Sequence, residues 1–166
     1  MHLALPELFI PATVQDAVTI HQLYTGTPDY FRIISIPMPT LEEVERDLEI
    51  ARQDPRRHVE LLLADEQFKG IAHPKGNVVG YLDYKLDYPQ GGEAMVNLLM
   101  ILGQVQNSGL GRQAVKDLEA QLKGRVKRVL VSIYGQNHRA ERFWKSLGYS
   151  FAIDAKPILD WYGKSL

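Results

Sequence analysis

The sequence predicts one domain of the α/β or α+β class. Three observations carry that expectation. Helix-like and strand-like patterns alternate along the 166 residues. The run Ala94 to Leu102 (AMVNLLMIL) is nearly all apolar, as in a central strand buried on both faces. A glycine-rich turn follows that run and opens an amphipathic helix marked by Val115, Leu118 and Leu122. The length suits a single domain over residues 1–166, since domains cluster near about 100–150 residues.

The elements follow in order. Glu7 to Ile10 reads as a short strand. Thr13 is placed to cap a helix running to about Leu23, with Asp16 in its first turn. Thr25 to Pro39 reads as irregular, because Pro28, Pro37 and Pro39 interrupt it. Thr40-Leu41-Glu42-Glu43 is a capping box, and Leu41, Val44, Leu48 and Ala51 follow at helical spacing. Asp54-Pro55 stops that helix. His58 to Ala64 is a strand, and Lys69 to Gly76 a turn region.

Val78 to Tyr88 alternates, with Leu82, Tyr84, Leu86 and Tyr88 on one face and Asp83, Lys85 and Asp87 on the other. That pattern predicts a half-exposed antiparallel strand, turned at Pro89-Gln90-Gly91-Gly92. After the central strand, the helix ends at Gly124 and Arg128 to Tyr134 forms another strand. Asn137 caps a short helix ended by Gly148. Tyr149 to Ile153 and Ile158 to Lys164 form a terminal pair of strands.

Composition narrows the function classes. The chain is 45% hydrophobic and 23% charged, which excludes wholesale disorder. Nineteen basic and 20 acidic residues give a formal charge of −1. A dedicated nucleic-acid binder or a polybasic membrane binder would need a basic excess. The absence of cysteine excludes disulfides, thiolate nucleophiles and Cys-ligated metals. His2, His21, His58, His73 and His138 are scattered, so no metal site is expected. No run approaches 18 apolar residues, and the opening MHLALPELFIPA lacks the basic start of a signal peptide. A cytoplasmic protein is therefore expected.

Gln106-Asn107-Ser108-Gly109-Leu110-Gly111-Arg112 lies between a buried strand and a helix. A helix N-terminus presents free N–H groups and the positive end of its dipole, and glycines let an anion approach them. The segment reads either as a phosphate cradle or as a tight strand-to-helix turn. It is not a P-loop, since G-x-x-x-x-G-K-[ST] is absent. A Rossmann turn tolerates Ala114 at its third glycine but should lie near the first strand, and this segment lies two-thirds of the way along the chain.

About 25 residues later comes Asn137-His138-Arg139-Ala140-Glu141-Arg142-Phe143-Trp144-Lys145-Ser146-Leu147-Gly148-Tyr149. With both segments in view, the chain resembles the GNAT superfamily of acetyl-CoA-dependent N-acetyltransferases. Gln106-x-x-Gly109-x-Gly111 matches that family's [RQ]-x-x-G-x-[GA]. Asn137, Ala140, Phe143, Trp144, Gly148 and Tyr149 match its N-x-x-A-x-x-[FL]-[YW]-x-x-x-G-[FY]. The resemblance covers nearly the whole chain and is weakest from Thr25 to Pro39.

The resemblance implies a mixed, mostly antiparallel central sheet of about six or seven strands with about four helices, its fourth and fifth strands splayed to admit acetyl-CoA. It implies that Gln106, Asn107, Ser108, Gly109, Leu110, Gly111 and Arg112 hold the pyrophosphate. Met100, Ile101 and Leu102 would pair with the pantetheine amides like an added strand. Asn137 would contact the pantetheine arm, cap its helix, or do both. Trp144 would flank the thioester. Arg139, Arg142 and Lys145 form a solvated face from which one side chain could reach a CoA phosphate.

The implied reaction is direct attack of an amine on the acetyl thioester in a ternary complex. Many relatives carry a Tyr as general acid where this chain has Trp144. An indole N–H only donates a hydrogen bond, so the acid falls to Tyr149, Tyr134 or Ser146. Deprotonating a lysine-type amine at pH 7 costs about 4.6 kcal/mol, an α-amine only about 1 kcal/mol. Some relatives place a Glu in the fourth strand as base. Glu93 is the nearest counterpart here, or else a solvated residue beside the turn.

The amine acceptor is expected near Tyr30, Phe31 and Arg32. Those aromatics either line a pocket or fill the gap between helix and sheet. Two other readings stand beside the N-acetyltransferase: a non-catalytic acyl-CoA-binding or sensor domain, and an acyltransferase with a different acyl group. An exposed strand edge leaves a homodimer open.

Overall fold

A computed structural model describes residues 9–134, 136–155 and 159–166. The strands are β1 Phe9–Pro11, β2 Arg57–Ala64, β3 Ile71–His73, β4 Gly76–Leu86, β5 Glu93–Ile101, β6 Arg128–Tyr134, β7 Ser150–Ala155 and β8 Leu159–Ser165. The helices are α1 Ala17–Thr25, α2 Pro28–Ile34, α3 Leu41–Gln53, α4 Leu110–Leu122 and α5 His138–Ser146. The strands form one sheet in the order β1-β2-β4-β5-β6-β8-β7, with β3 paired to β4. Every pairing is antiparallel except β5–β6, the parallel pair that α4 connects. This is the expected mixed α/β architecture. Among the described residues α2 and β3 are additions to it. Glu7 and Ile158, where two strands were expected to begin, lie outside the described residues.

The predicted caps form. Thr40 accepts from the Glu43 N–H at 3.1 Å, and the Glu43 carboxylate accepts from the Thr40 N–H at 3.2 Å. Thr13 and Asp16 make a second capping box over a 3-10 turn, Val14–Asp16, that continues into α1. Asp16 also contacts His73 Nε2 at 2.8 Å, tying this turn to β3.

Two expectations are corrected. The segment from Thr25 to Pro39 is not irregular, because α2 occupies its middle. Pro28 stands at the helix start, where its missing N–H costs nothing, and Asp29 lies in the first turn. Ser35, at φ 57°, ends the helix. Strand β4 is not half-exposed: residues 78–84 are all buried. Its charged face meets α3 instead of water. Asp83 Oδ2 receives Arg57 Nη2 at 2.7 Å, and Lys85 lies 2.8 Å from Asp54. Arg57 also reaches Asp47 of α3 at 2.9 Å. Alternating charge was the signature of ion pairs with a helix.

Helices α1 and α3 cover the face that carries Tyr81 and Asp83. Tyr24 of α1 meets Tyr81 and Phe31 edge-on, at 6.2 and 5.3 Å between ring centroids. Helix α4 lies on the opposite face, against Ile101. Leu61, Leu62, Leu118 and Leu130 are fully buried between these layers. Burying each such side chain contributes about 1.5–3 kcal/mol. Among the described residues no helix is long and apolar enough to cross a membrane.

Candidate active site

Strands β5 and β6 pair only over Glu93–Val96 and Arg128–Val131. Beyond that point they diverge. The cause is visible on the other edge of β5. Asp83 opposes Leu98 while Tyr84 opposes Val96, so Asn97 is an extra residue in β5. Such a bulge bends its strand and ends regular pairing. Asn97 is exposed, and Leu98 and Leu99 are half-buried. The expectation that this whole run is buried on both faces therefore holds only for its first half, where Ala94, Met95 and Val96 are buried.

The wedge between the strands is a cavity of about 540 Å³, within the usual range for a ligand site. Side chains alternate along a strand. Leu99, Ile101, Val131 and Ile133 therefore face α4 and α5, whereas Leu98, Ser132 and Tyr134 face the side where α2 lies. All of them line the cavity.

Its mouth on the α4 side is the glycine turn. Gln106, Asn107, Ser108, Gly109, Leu110, Gly111 and Arg112 all line it, as does Ile101. Gly109 is the N-cap of α4 at φ 88°, a left-handed conformation that favours glycine, and no side chain caps this helix. The amides from Asn107 to Arg112 donate to no other protein group among the described residues. A Cβ at Gly109 would meet nothing within 4 Å, so the space in front of these amides is open. A Cβ at Gly111 would sit 3.3 Å from the Phe143 ring, so this glycine lets α4 and α5 approach.

Asn137 and Trp144 of the second motif also line the cavity. Asn137 accepts from the Ala140 N–H at 3.1 Å and so caps α5. Trp144 is buried, edge-on to Phe143 at 5.3 Å and to Tyr149 at 4.9 Å.

On the other side Asp29, Tyr30 and Ile33 of α2 line the cavity opposite Tyr134. Burial, then the neighbouring Tyr134, pushes the Tyr30 phenol up to about 12, so Tyr30 keeps its proton. The α2 segment is pinned at both ends. Thr27 Oγ1 accepts from the Gly103 N–H at 3.2 Å, and Gln136 Nε2 donates to the Ile34 carbonyl at 3.2 Å.

Several expected site residues are not brought to the cavity. Glu93 sits at the first paired rung of β5, about 16 Å from Leu98 along the strand. Its carboxylate is held by Arg128, so it is not placed to act as a base in the wedge. Tyr149 is buried behind α5 and donates to Glu119 Oε2 at 3.1 Å. Burial and Glu119 raise its phenol far above the ordinary tyrosine range. The side chains of Met100 and Leu102 are buried in the core, Met100 opposite Tyr81 and Leu102 at Gly26. Their expected role is main-chain pairing, and the Leu102 N–H is given to the Val79 carbonyl at 2.8 Å. Phe31 is buried against Tyr24 and Tyr30. Arg32 is exposed and pairs with Asp29.

Sequence reasoning missed Asn97, Ser132 and Ile33. Asn97 left one legible signal: it is the single polar residue in an apolar run. Among the described residues no group of three or more His, Asp or Glu side chains is arranged to hold a metal ion.

Comparisons with known proteins address the same architecture. The profile of the acetyltransferase (GNAT) family matches residues 28–149. The crystal structure of an acetyltransferase from Thermus thermophilus is 38% identical, with TM-score 0.85, covering 95% of this chain and 96% of that one. A PaiA N-acetyltransferase from Thermoplasma acidophilum, solved with coenzyme A, is 10% identical, with TM-score 0.70 over 95% and 98% of the two chains. A spermidine N-acetyltransferase from Vibrio cholerae, solved with CoA and spermine, is 12% identical, with TM-score 0.70 over 95% and 94%. The last two share the fold. No curated protein matches the chain. The chain belongs to the GNAT family of acetyltransferases and is an acyltransferase enzyme.

Proposed function

We propose that this enzyme transfers the acetyl group of acetyl-CoA to a primary amine of a small molecule, amino acid or peptide, by direct attack in a ternary complex. One observation carries the reading: a wedge between β5 and β6 that ends at a turn of unengaged amides. The residues fit the co-substrate. The open space at Gly109 and the amides from Asn107 to Arg112 suit a pyrophosphate. The free edge of β5 beyond Asn97 suits the pantetheine amides. An N–H on that edge would stabilise charge on the thioester oxygen as the amine attacks. The two neighbours solved with CoA, one of them also with spermine, support a carrier of this kind and an amine acceptor.

With Glu93 and Tyr149 outside the wedge, proton handling falls to the phenols inside it. Tyr134 is the candidate donor to the departing thiolate, and Tyr30 faces it from α2. The acceptor enters between α2 and β6.

The test is calorimetric titration with acetyl-CoA, followed by CoA-release assays over an amine panel. Micromolar binding is expected, weakened by about tenfold or more in Gly109→Trp. Gly109→Ala carries the same backbone strain without the bulk, so the difference between the variants reports occupancy of the turn. Failure of a folded sample to bind acetyl-CoA would overturn the proposal. Binding without turnover over the panel would favour the sensor reading.

A further inference from the structure

Helix α2 is tied to both arms of the wedge. At its start Thr27 is 3% exposed, and its hydroxyl accepts from the Gly103 N–H at 3.2 Å and donates to the Leu23 carbonyl at 2.8 Å. Gly103 is the second residue after β5. A Cβ there would sit 2.7 Å from the Gly26 carbonyl oxygen, so the two backbones touch. At the other end the Ile34 carbonyl, among the last of its helix and so without an intrahelical partner, accepts from Gln136 Nε2 at 3.2 Å. Gln136 is the second residue after β6. Among the described residues no other hydrogen bond joins α2 to the segments that follow β5 and β6. Phe31 packs on Tyr24, which fixes α2 to α1.

The length of α2 suits the gap. Its ties, at Thr27 and Ile34, are seven residues apart, which is about 10 Å along a helix. Adjacent strands lie about 4.8 Å apart, so a gap that takes one extended chain between β5 and β6 is also about 10 Å wide. The bulge at Asn97 lets β5 turn away from β6 but sets no width. Strand ends that do not pair with each other can move apart or together, and a ligand would then have to fix their spacing at a cost in affinity. Asp29, Tyr30 and Ile33 of the same helix line the cavity. The spacing of the strands and the placing of the acceptor wall are therefore set together.

We propose that α2 is a spacer that holds the wedge at the width of one extended chain, with Thr27 and Gln136 as the positioning residues that fasten it. The assignment rests on the reading that acetyl-CoA lies between these strands.

The test is calorimetric titration of the full chain with acetyl-CoA in Thr27→Val, in Gln136→Ala and in the double variant. Each single substitution is expected to weaken binding about fivefold. The double variant should bind within about twofold of the weaker single variant, since a spacer freed at one end no longer sets the gap. Substitutions about 10 Å apart that only loosen their own surroundings would instead multiply, to about 25-fold. Thr27→Ser keeps the hydroxyl and should bind as the wild type does. Gln136 is exposed, so Gln136→Ala should keep its fold, which its melting curve checks. The chain has no cysteine, so Gln104→Cys and His138→Cys, both exposed and shortly beyond the two strands, take spin labels without competing sites. The distances between the labels should be narrowly distributed in the parent chain and broader in Gln136→Ala. Single variants that bind as tightly as the wild type, multiplied losses in the double variant, or unchanged label distances would overturn the spacer and leave the acetyl-CoA reading standing. A folded wild type that binds no acetyl-CoA would overturn both.

Discussion

Gln106 donates its side-chain amide to the carbonyl oxygen of Ile101 at 2.9 Å. The glutamine that opens the family motif therefore holds the end of β5 against the turn that follows it. The amides at the mouth of the wedge are thereby fixed relative to its edge. Gln106→Ala should cost about 1 kcal/mol of stability, the worth of one hydrogen bond, and should also weaken acetyl-CoA binding. Gln106→Glu should be worse, since a carboxylate would face a carbonyl. Urea unfolding and calorimetry check both, and undiminished affinity in Gln106→Ala would show that this bond does not set the turn.

Tyr134→Phe and Tyr149→Phe should separate chemistry from structure. Tyr134 lines the wedge. Its loss should lower kcat by about 10²-fold, at the low end for a general acid, with acetyl-CoA affinity unchanged. Tyr149 donates to Glu119 behind α5. Its loss should cost about 1.5–3 kcal/mol, as for a hydrogen bond to a charged group, with kcat unchanged. Steady-state kinetics and urea unfolding on both variants read the contrast.

Trp144 is packed between Phe143 and Tyr149. Trp144→Tyr shortens the side chain and should cost about 1–3 kcal/mol through the void it leaves. It also introduces a phenol beside the thioester position, so turnover should hold or rise. A collapse of turnover without loss of binding would mean that the indole shapes the pocket.

The pair Arg57–Asp83 joins β2 to β4 beneath α3, with Arg57 15% and Asp83 9% exposed at their side chains. Breaking a buried pair costs about 3–5 kcal/mol when the remaining charge is stranded. Asp47 still holds Arg57 at 2.9 Å. Asp83→Ala should therefore cost less, about 2–3 kcal/mol by urea unfolding.

His58 and Glu60 give opposite pH dependences on one patch. His58 stacks on Tyr84, whose hydroxyl donates to Glu60 at 3.3 Å. Burial raises the Glu60 carboxyl above its ordinary range. Its contribution is full below the unfolded value near 4.3 and is lost as pH rises through the raised folded value. Burial, then Arg125, lowers the His58 imidazole. Its contribution is full above the unfolded value near 6.5 and is lost as pH falls through the lowered folded value. Relative to wild type, Glu60→Gln should gain more stability at alkaline than at acid pH. His58→Gln should show the reverse, as read from melting curves across pH.

Much of the candidate site was legible because its parts are contiguous. The turn from Gln106 to Arg112 and the cap at Asn137 each lie within a few residues, and their chemistry follows from local backbone geometry. The cap at Thr13 and the capping box at Thr40 were legible for the same reason. Helix α2 was missed because a proline can break a helix or begin one, and the sequence around Pro28 does not say which. The charged face of β4 was misread because alternation records a period and not the partner across it.

The sequence by itself determined the elements other than α2 and β3, the glycine turn and the family resemblance, all set by short-range backbone preferences and periodicity. Only the tertiary structure decided which strand ends diverge, since the bulge at Asn97 depends on register against β4. Only the tertiary structure brought Tyr30 and Tyr134 to one cavity from positions far apart in the chain, and took Glu93 and Tyr149 away from it. Register and helix docking are settled by burial summed over the whole core, so a side chain's place in the wedge is a property of that sum and not of its neighbours in sequence.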